Sequence, residues 1–177
     1  MKTTIKTLKT LVILFAAINL ISCDEVDELT QVDLDATFTE EVTVNLSENN
    51  ASINGNVNIN LADDPDLVDY LSNIEDIQIT EVSYKIKNYV GVEEATGTIT
   101  AVAASQSFGP YDHTFFTDAQ NGTSFVFEDV DKLNTVANTL QSTNQVDVQF
   151  SGTQAPAQNG SFVIEITFKV TVTAQAL

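Results

Sequence analysis

The sequence predicts an all-β domain, an antiparallel β-sandwich of about seven strands with two short helices. Three observations carry this. Apolar and polar residues alternate over most of the chain beyond residue 36, which is the period of a strand with one buried face. Thr and Asn fill the opposite positions, and short polar turns separate the runs. The 142 residues of 36–177 are enough for one domain with its own core, and no internal repeat divides them.

In chain order, Phe38, Val42, Val44 and Leu46 fall on even positions, with Thr39, Glu41, Thr43 and Asn45 opposite. Ile53, Val57, Ile59 and Leu61 fall on odd positions, opposite Asn54, Asn56, Asn58 and Asn60. The polar stretch 47–50 between these runs predicts a hairpin. Asp64 is then placed to cap a first helix, with Pro65 at its first position and Leu67, Leu71 and Ile74 on one face. Ile77 and Ile79 share one parity, and Val82, Tyr84 and Ile86 the other. A strand that keeps one face buried does this only with an extra residue, which predicts a β-bulge near Thr80 and Glu81. Three further strands fall at 95–104, 123–130 and 145–152. A second helix covers 131–141, with Leu133, Val136, Ala137 and Leu140 on one face. The last run alternates Phe162, Ile164, Ile166, Phe168, Val170 and Val172 with Val163, Glu165, Thr167, Lys169, Thr171 and Thr173, long enough to cross the whole sandwich or to bend between its sheets. The layout is immunoglobulin-like, without the Cys–Trp–Cys hallmark of antibody domains, and an antiparallel barrel is the alternative.

Composition narrows the function. The chain has 25 acids against seven lysines and no arginine, a formal charge of −18. Lys2, Lys6 and Lys9 all precede the apolar run at Leu11. From Cys23 onward, four lysines stand against all 25 acids, a formal −21 over 155 residues. Nucleic acid is an unsuitable partner, since its affinity is built on cations that neutralise phosphates. Electrostatic docking on anionic lipid is excluded on the same ground.

The N-terminus reads as an export signal. Residues 1–10 are short, polar and basic, and 11–21 (LVILFAAINLI) are apolar except for Asn19. Eleven helical residues reach roughly 16 Å, too short for a hydrocarbon core of about 30 Å. A basic region followed by a short apolar one is a secretory signal peptide, here 1–22. It ends in Leu20-Ile21-Ser22-Cys23, which resembles a bacterial lipobox, and Cys23 is the sole cysteine. That resemblance implies cleavage before Cys23, diacylglyceryl transfer to its thiol and acylation of the new amino terminus. The thiolate is the nucleophile that such a transfer needs. Two or three acyl chains hold a protein stably on a membrane where one does not.

Six of the twelve residues 24–35 are acidic, and 23–35 reads as a lipidated cysteine with a solvated tether. The run after Cys23 also resembles the acidic surface-export signal of Bacteroidota lipoproteins, which implies display outside the outer membrane; a periplasm-facing anchor is a second reading, and in other Gram-negative bacteria Asp24 after the cysteine implies retention at the inner membrane. The stretches 77–89 and 162–174 resemble uncharacterised Bacteroidota β-sandwich lipoproteins, a resemblance that implies no activity.

The search for chemistry returns little. No nucleophile elbow, zinc-protease, Walker, Rossmann or EF-hand motif occurs. His113 is the only imidazole, and one His without a spare Cys makes a poor zinc site. Adjacent carboxylates such as Glu40-Glu41 and Glu93-Glu94 point to opposite faces of a strand, so adjacency makes no acid–base pair. Asp63, Asp64 and Asp66, or Asp112, Asp118 and Asn121, offer hard oxygen atoms to calcium. Helix capping accounts for the first group, and the second lacks regular ligand spacing.

The segment 108–116 packs Phe108, Tyr111, Phe115 and Phe116 around His113. It admits two readings. As an exposed loop, Tyr111, His113, Phe115 and Phe116 would stack on a sugar or enter a partner. As a core element, Phe115 and Phe116 would anchor a strand or loop, which the lack of tryptophan favours. The expectation is therefore a lipid-anchored envelope lipoprotein of the outer membrane, surface-exposed or periplasmic, with a non-enzymatic binding or structural domain. It needs no cofactor beyond the lipid on Cys23. The alternative is an uptake accessory that binds glycan or an envelope protein through 108–116; a hydrolase comes third.

Overall fold

The period-2 alternation becomes two antiparallel sheets of four strands each in the computed structural model, which describes residues 31–176. The export signal, Cys23 and the stretch 24–30 lie outside the described residues. The order is β1 (Gln31–Leu46), β2 (Ser52–Asn60), a 3-10 turn (Leu61–Asp63), β3 (Ile74–Val90), β4 (Thr96–Ala103), β5 (Gln106–Thr114), α1 (Phe115–Asn121), β6 (Ser124–Val126), α2 (Val130–Thr143), β7 (Gln145–Ala155) and β8 (Gly160–Gln175). One sheet runs β1-β8-β3-β6, the other β2-β7-β4-β5. Every connection except the β4–β5 hairpin thus hands over from one sheet to the other in a nested order, which is the jelly-roll arrangement. The all-β sandwich stands as predicted, with eight strands in jelly-roll order instead of about seven in an immunoglobulin-like one.

The eighth strand is β5, inside the segment that invited a loop reading. Gly109 and Pro110 interrupt its alternation, and the register against β4 shifts between Ile99 and Ala101 to absorb them. β5 is an edge strand, where a proline without an N–H is tolerated.

The 47–50 turn forms, with Asn50 N donating to Ser47 O at 3.1 Å, but the expected hairpin does not. β1 pairs β8 along its length, from Gln31 opposite Gln175 to Leu46 opposite Gly160, while β2 pairs β7. The two strands face each other across the sandwich: a Cβ on Gly55 would lie 3.1 Å from Val42 Cγ1. The inner face of β2 is apolar and that of β1 apolar but for Glu40, and stacking buries both where a hairpin would leave them side by side.

The first helix is replaced by successive turns, in which Leu67 N donates to Asp64 O, Tyr70 N to Leu67 O and Asn73 N to Tyr70 O. Asp64 still caps, accepting from Asp66 N at 2.9 Å, and Leu67 is buried. Ile74 already belongs to β3, so too few residues remain to repay helix nucleation, and Asp, Asn and Ser favour turns. The predicted bulge is present: Ile79 pairs Val170, Glu81 pairs Lys169, and Thr80 is left over, its hydroxyl donating to Lys169 O. α2 buries Leu133, Val136, Ala137 and Leu140 as predicted. Asp129 caps it through Lys132 N, and Asn144 closes it in the left-handed conformation.

β8 lies between β1 and β3 and runs the full length of that sheet without bending into the other. β1 starts at Gln31, so the sheet reaches into the stretch read as tether. Of 123–130, only Ser124–Val126 pairs as strand.

Candidate functional site

The jelly-roll closes on one side where β1 packs over β2. On the other side the edge strands β5 and β6 leave a seam between the sheets. β6 is three residues long, so backbone pairing cannot seal this seam and aromatic rings do. Phe108 stacks on Phe127 at 4.5 Å, and Tyr84 on Phe125 at 5.3 Å. Tyr111 meets Tyr84 edge-on at 5.7 Å and Phe125 at 5.9 Å.

A polar chain runs through this layer. Tyr84 Oη lies 2.7 Å from His113 Nε2, and His113 Nδ1 lies 3.0 Å from Asp118 Oδ2, which also accepts from Thr114 N. An ionised carboxylate only accepts, so the His113 proton sits on Nδ1 and Nε2 accepts from the Tyr84 hydroxyl. Burial pushes the His113 pKa below its ordinary value, against the opposing pull of Asp118. Burial drives the Tyr84 phenol far above its ordinary value. Both groups are therefore neutral near pH 7.

This Tyr–His–Asp series has the connectivity of a catalytic relay but not its access. The His113 side chain has no exposed surface, and both ring nitrogens are engaged. Tyr84 is 1 % exposed and protonated, so the series presents no nucleophile or base to solvent. Tyr84 belongs to one sheet and His113 to the other, so the relay joins the two sheets.

The residues singled out from the sequence separate accordingly. Phe115 is wholly buried, 5.3 Å from the Phe162 ring and 6.0 Å from that of Tyr89. Phe116 and Tyr111 are half-buried, and Tyr111 Oη donates to Val126 O at 3.0 Å. Residues 108–116 are thus edge strand and helix start instead of an exposed loop. Asp112 and Asn121 are exposed, whereas Asp118 turns inward to His113. Among the described residues, no three His, Cys, Asp or Glu side chains gather where they could hold a metal ion. Cys23 lies outside the described residues.

A shallow groove of about 410 Å³ runs along the seam, lined by Phe108, Tyr111, Phe125, Glu128, Asp129 and Lys132 among others, and a second depression of about 530 Å³ is lined by Thr96, Asp112, His113, Thr114 and Asp118 among others. Lys132 Nζ donates to Ser107 O, pairs with Asp129 at 3.1 Å and sits 5.8 Å from the Phe108 ring centre. Lys132 in turn lowers the Asp129 pKa. Sequence reasoning did not foresee the part played by Phe125 and Lys132, because only the seam brings β5, β6 and α2 together. The inward parity of Tyr84 was readable; its partner was not.

The outer face of the β1-β8-β3 sheet carries a second charged group. Glu165 takes Lys85 and Lys87, each at 2.6 Å, and Lys87 also reaches Glu41 at 2.7 Å. Lys85 first, then Lys87, depress the Glu165 pKa to about 2. Lys169 pairs with Glu81 and Lys132 with Asp129, so all four lysines beyond Cys23 are in ion pairs.

Fold and site define a jelly-roll β-sandwich with an aromatic seam. No protein-family model and no curated protein matches the chain. Similar solved structures include Desmodium yellow mottle tymovirus, at 12 % identity and a TM-score of 0.39 over 81 % of this chain and 84 % of that one. Turnip yellow mosaic virus is similar at 11 % identity and a TM-score of 0.41, over 82 % and 95 %. The BFDV capsid protein is similar at 15 % identity and 0.40, over 80 % and 98 %. At these values the likeness says nothing of what this chain does.

Proposed function

We propose that this chain is a lipid-anchored lipoprotein of the bacterial cell envelope whose jelly-roll is a non-enzymatic binding or structural domain. One observation carries the reading: the only cysteine stands at the end of the export signal, in Leu20-Ile21-Ser22-Cys23. The lipid on Cys23 serves as the anchor, so a domain of formal charge −21 needs no basic membrane-binding patch. The closed environment of His113 supports a domain that works by contact instead of catalysis. In cells fed labelled palmitate, the chain incorporates label and Cys23→Ser does not; label retained by that variant overturns the assignment. Protease added to intact cells removes the domain if it is surface-displayed and spares it if it faces the periplasm.

The seam groove favours a second reading, an uptake accessory that binds glycan or an envelope protein. Of the four residues first weighed for this, Tyr111 borders the groove, while His113 and Phe115 are buried. Tyr111→Ala then abolishes retention on a glycan array or partner column, measured on protein that circular dichroism shows to be folded. Unchanged retention removes this reading.

A further inference from the structure

We infer that the domain stands on its membrane in one orientation, with the β2–β3 connection and the end of α2 nearest the lipid and a tip of four connections farthest from it. This rests on the lipid-anchor reading above. The strand directions divide the connections between the two ends of the sandwich. Gln31, where β1 begins, hydrogen-bonds Glu75 at the start of β3. Gln175 Nε2 and Gln141 Nε2 also reach Glu75, and Gln175 N donates to Asn73 O. Leu61 N donates to Asn144 O, which ties the 61–73 connection to the end of α2. The N-terminus of the sheet, the 61–73 connection and the end of α2 therefore form one end.

The opposite end is bonded together just as closely. Glu48 N donates to Asn159 Oδ1, and Val92 N donates to Gln158 Oε1. Phe115 N donates to Ala95 O. Connections 47–51, 91–95 and 156–159 and helix α1 thus make one tip, with Val90 and Val92 exposed beside Glu93 and Glu94.

Covalent geometry sets the reach. Eight peptide steps separate Cys23 from Gln31, at most about 28 Å however the intervening chain is arranged. The tether therefore holds the attached end within about 28 Å of the lipid, whereas the 16 residues of β1, roughly 50 Å, let the tip stand well beyond that. Among the described residues, no unpaired lysine draws a broad face down onto the lipid. All four lysines beyond Cys23 are in ion pairs, and the net charge repels an anionic leaflet. The attached end stays lowest, and the tip meets what lies beyond the membrane.

The test uses the full lipidated chain in vesicles of outer-membrane lipid extract that carry a headgroup acceptor dye. Once lipidated, Cys23 is a thioether, so a cysteine introduced by Val68→Cys or Glu93→Cys is the only thiol for a donor dye. Both positions are exposed, one at each end. Energy transfer from position 68 is severalfold that from position 93. Equal transfer, or more from 93, overturns the orientation while both variants still float with the vesicles. If neither variant floats, the anchor itself is wrong and the orientation falls with it.

Discussion

The hydroxyl of Tyr84 lies 2.7 Å from Nε2 of His113, a hydrogen bond inside the sandwich between a strand of one sheet and a strand of the other. Tyr84→Phe keeps the ring that stacks on Phe125 and removes only the donor. The buried Nε2 then has no partner, which costs about 1–3 kcal/mol. In urea titration the midpoint falls with an unchanged slope. A midpoint equal to wild type would mean that the bond contributes nothing to holding the sheets together.

The same buried imidazole makes stability depend on pH. Its folded pKa is lowered by burial, below the 6.5 of an exposed His. As pH falls below about 6.5, the unfolded chain takes up a proton at His113 that the folded chain refuses. The stability tied to neutral His113 is complete above that value and is lost as pH falls through it toward the lower folded value. In wild type the urea midpoint drops between about pH 7.5 and 5.5 by more than in His113→Gln. Equal drops in the two proteins place the titration elsewhere.

The elements readable from sequence are those whose residues carry their own partner information. β8 declares itself by alternation from Phe162 to Val172, α2 by Leu133, Val136, Ala137 and Leu140, and the bulge at Thr80 by the parity change between Ile79 and Val82. Sheet membership was not readable. The turn at 47–50 suits a hairpin or a crossing between sheets equally well, and the choice lies with β8, more than a hundred residues away. β5 was hidden by Gly109 and Pro110, which an edge strand accommodates but a local pattern reads as loop. In the site, the inward side of Tyr84 was visible, whereas its bond to His113 depends on a seam that only the whole topology creates.

Phe115 and Phe116 are neighbours with different fates, which separates an anchoring role from a binding one. Phe115 is fully enclosed, close to Phe162, Tyr89 and His113, and its truncation leaves a cavity. Phe115→Ala costs about 3–5 kcal/mol. Phe116 is half-buried, and Phe116→Ala costs well under half as much. Thermal unfolding of the pair reads the difference, and equal losses would contradict the burial of Phe115.

Two glycines separate a steric requirement from a conformational one. Gly152 on β7 pairs with Ile99 on β4, and a Cβ there would lie 1.9 Å from the Thr98 carbonyl oxygen. That oxygen is strand backbone and has no free rotamer to move into, so Gly152→Ala must part β7 from β4 at the centre of its sheet. Gly122 ends α1 at φ +61°, with nothing within 4 Å of a would-be Cβ. Gly122→Ala therefore costs only the left-handed backbone, about 1 kcal/mol. Gly152→Ala loses severalfold more and abolishes slow amide exchange along β4 and β7, while Gly122→Ala leaves those amides protected. Slow exchange retained in Gly152→Ala would show that the two strands can yield without separating.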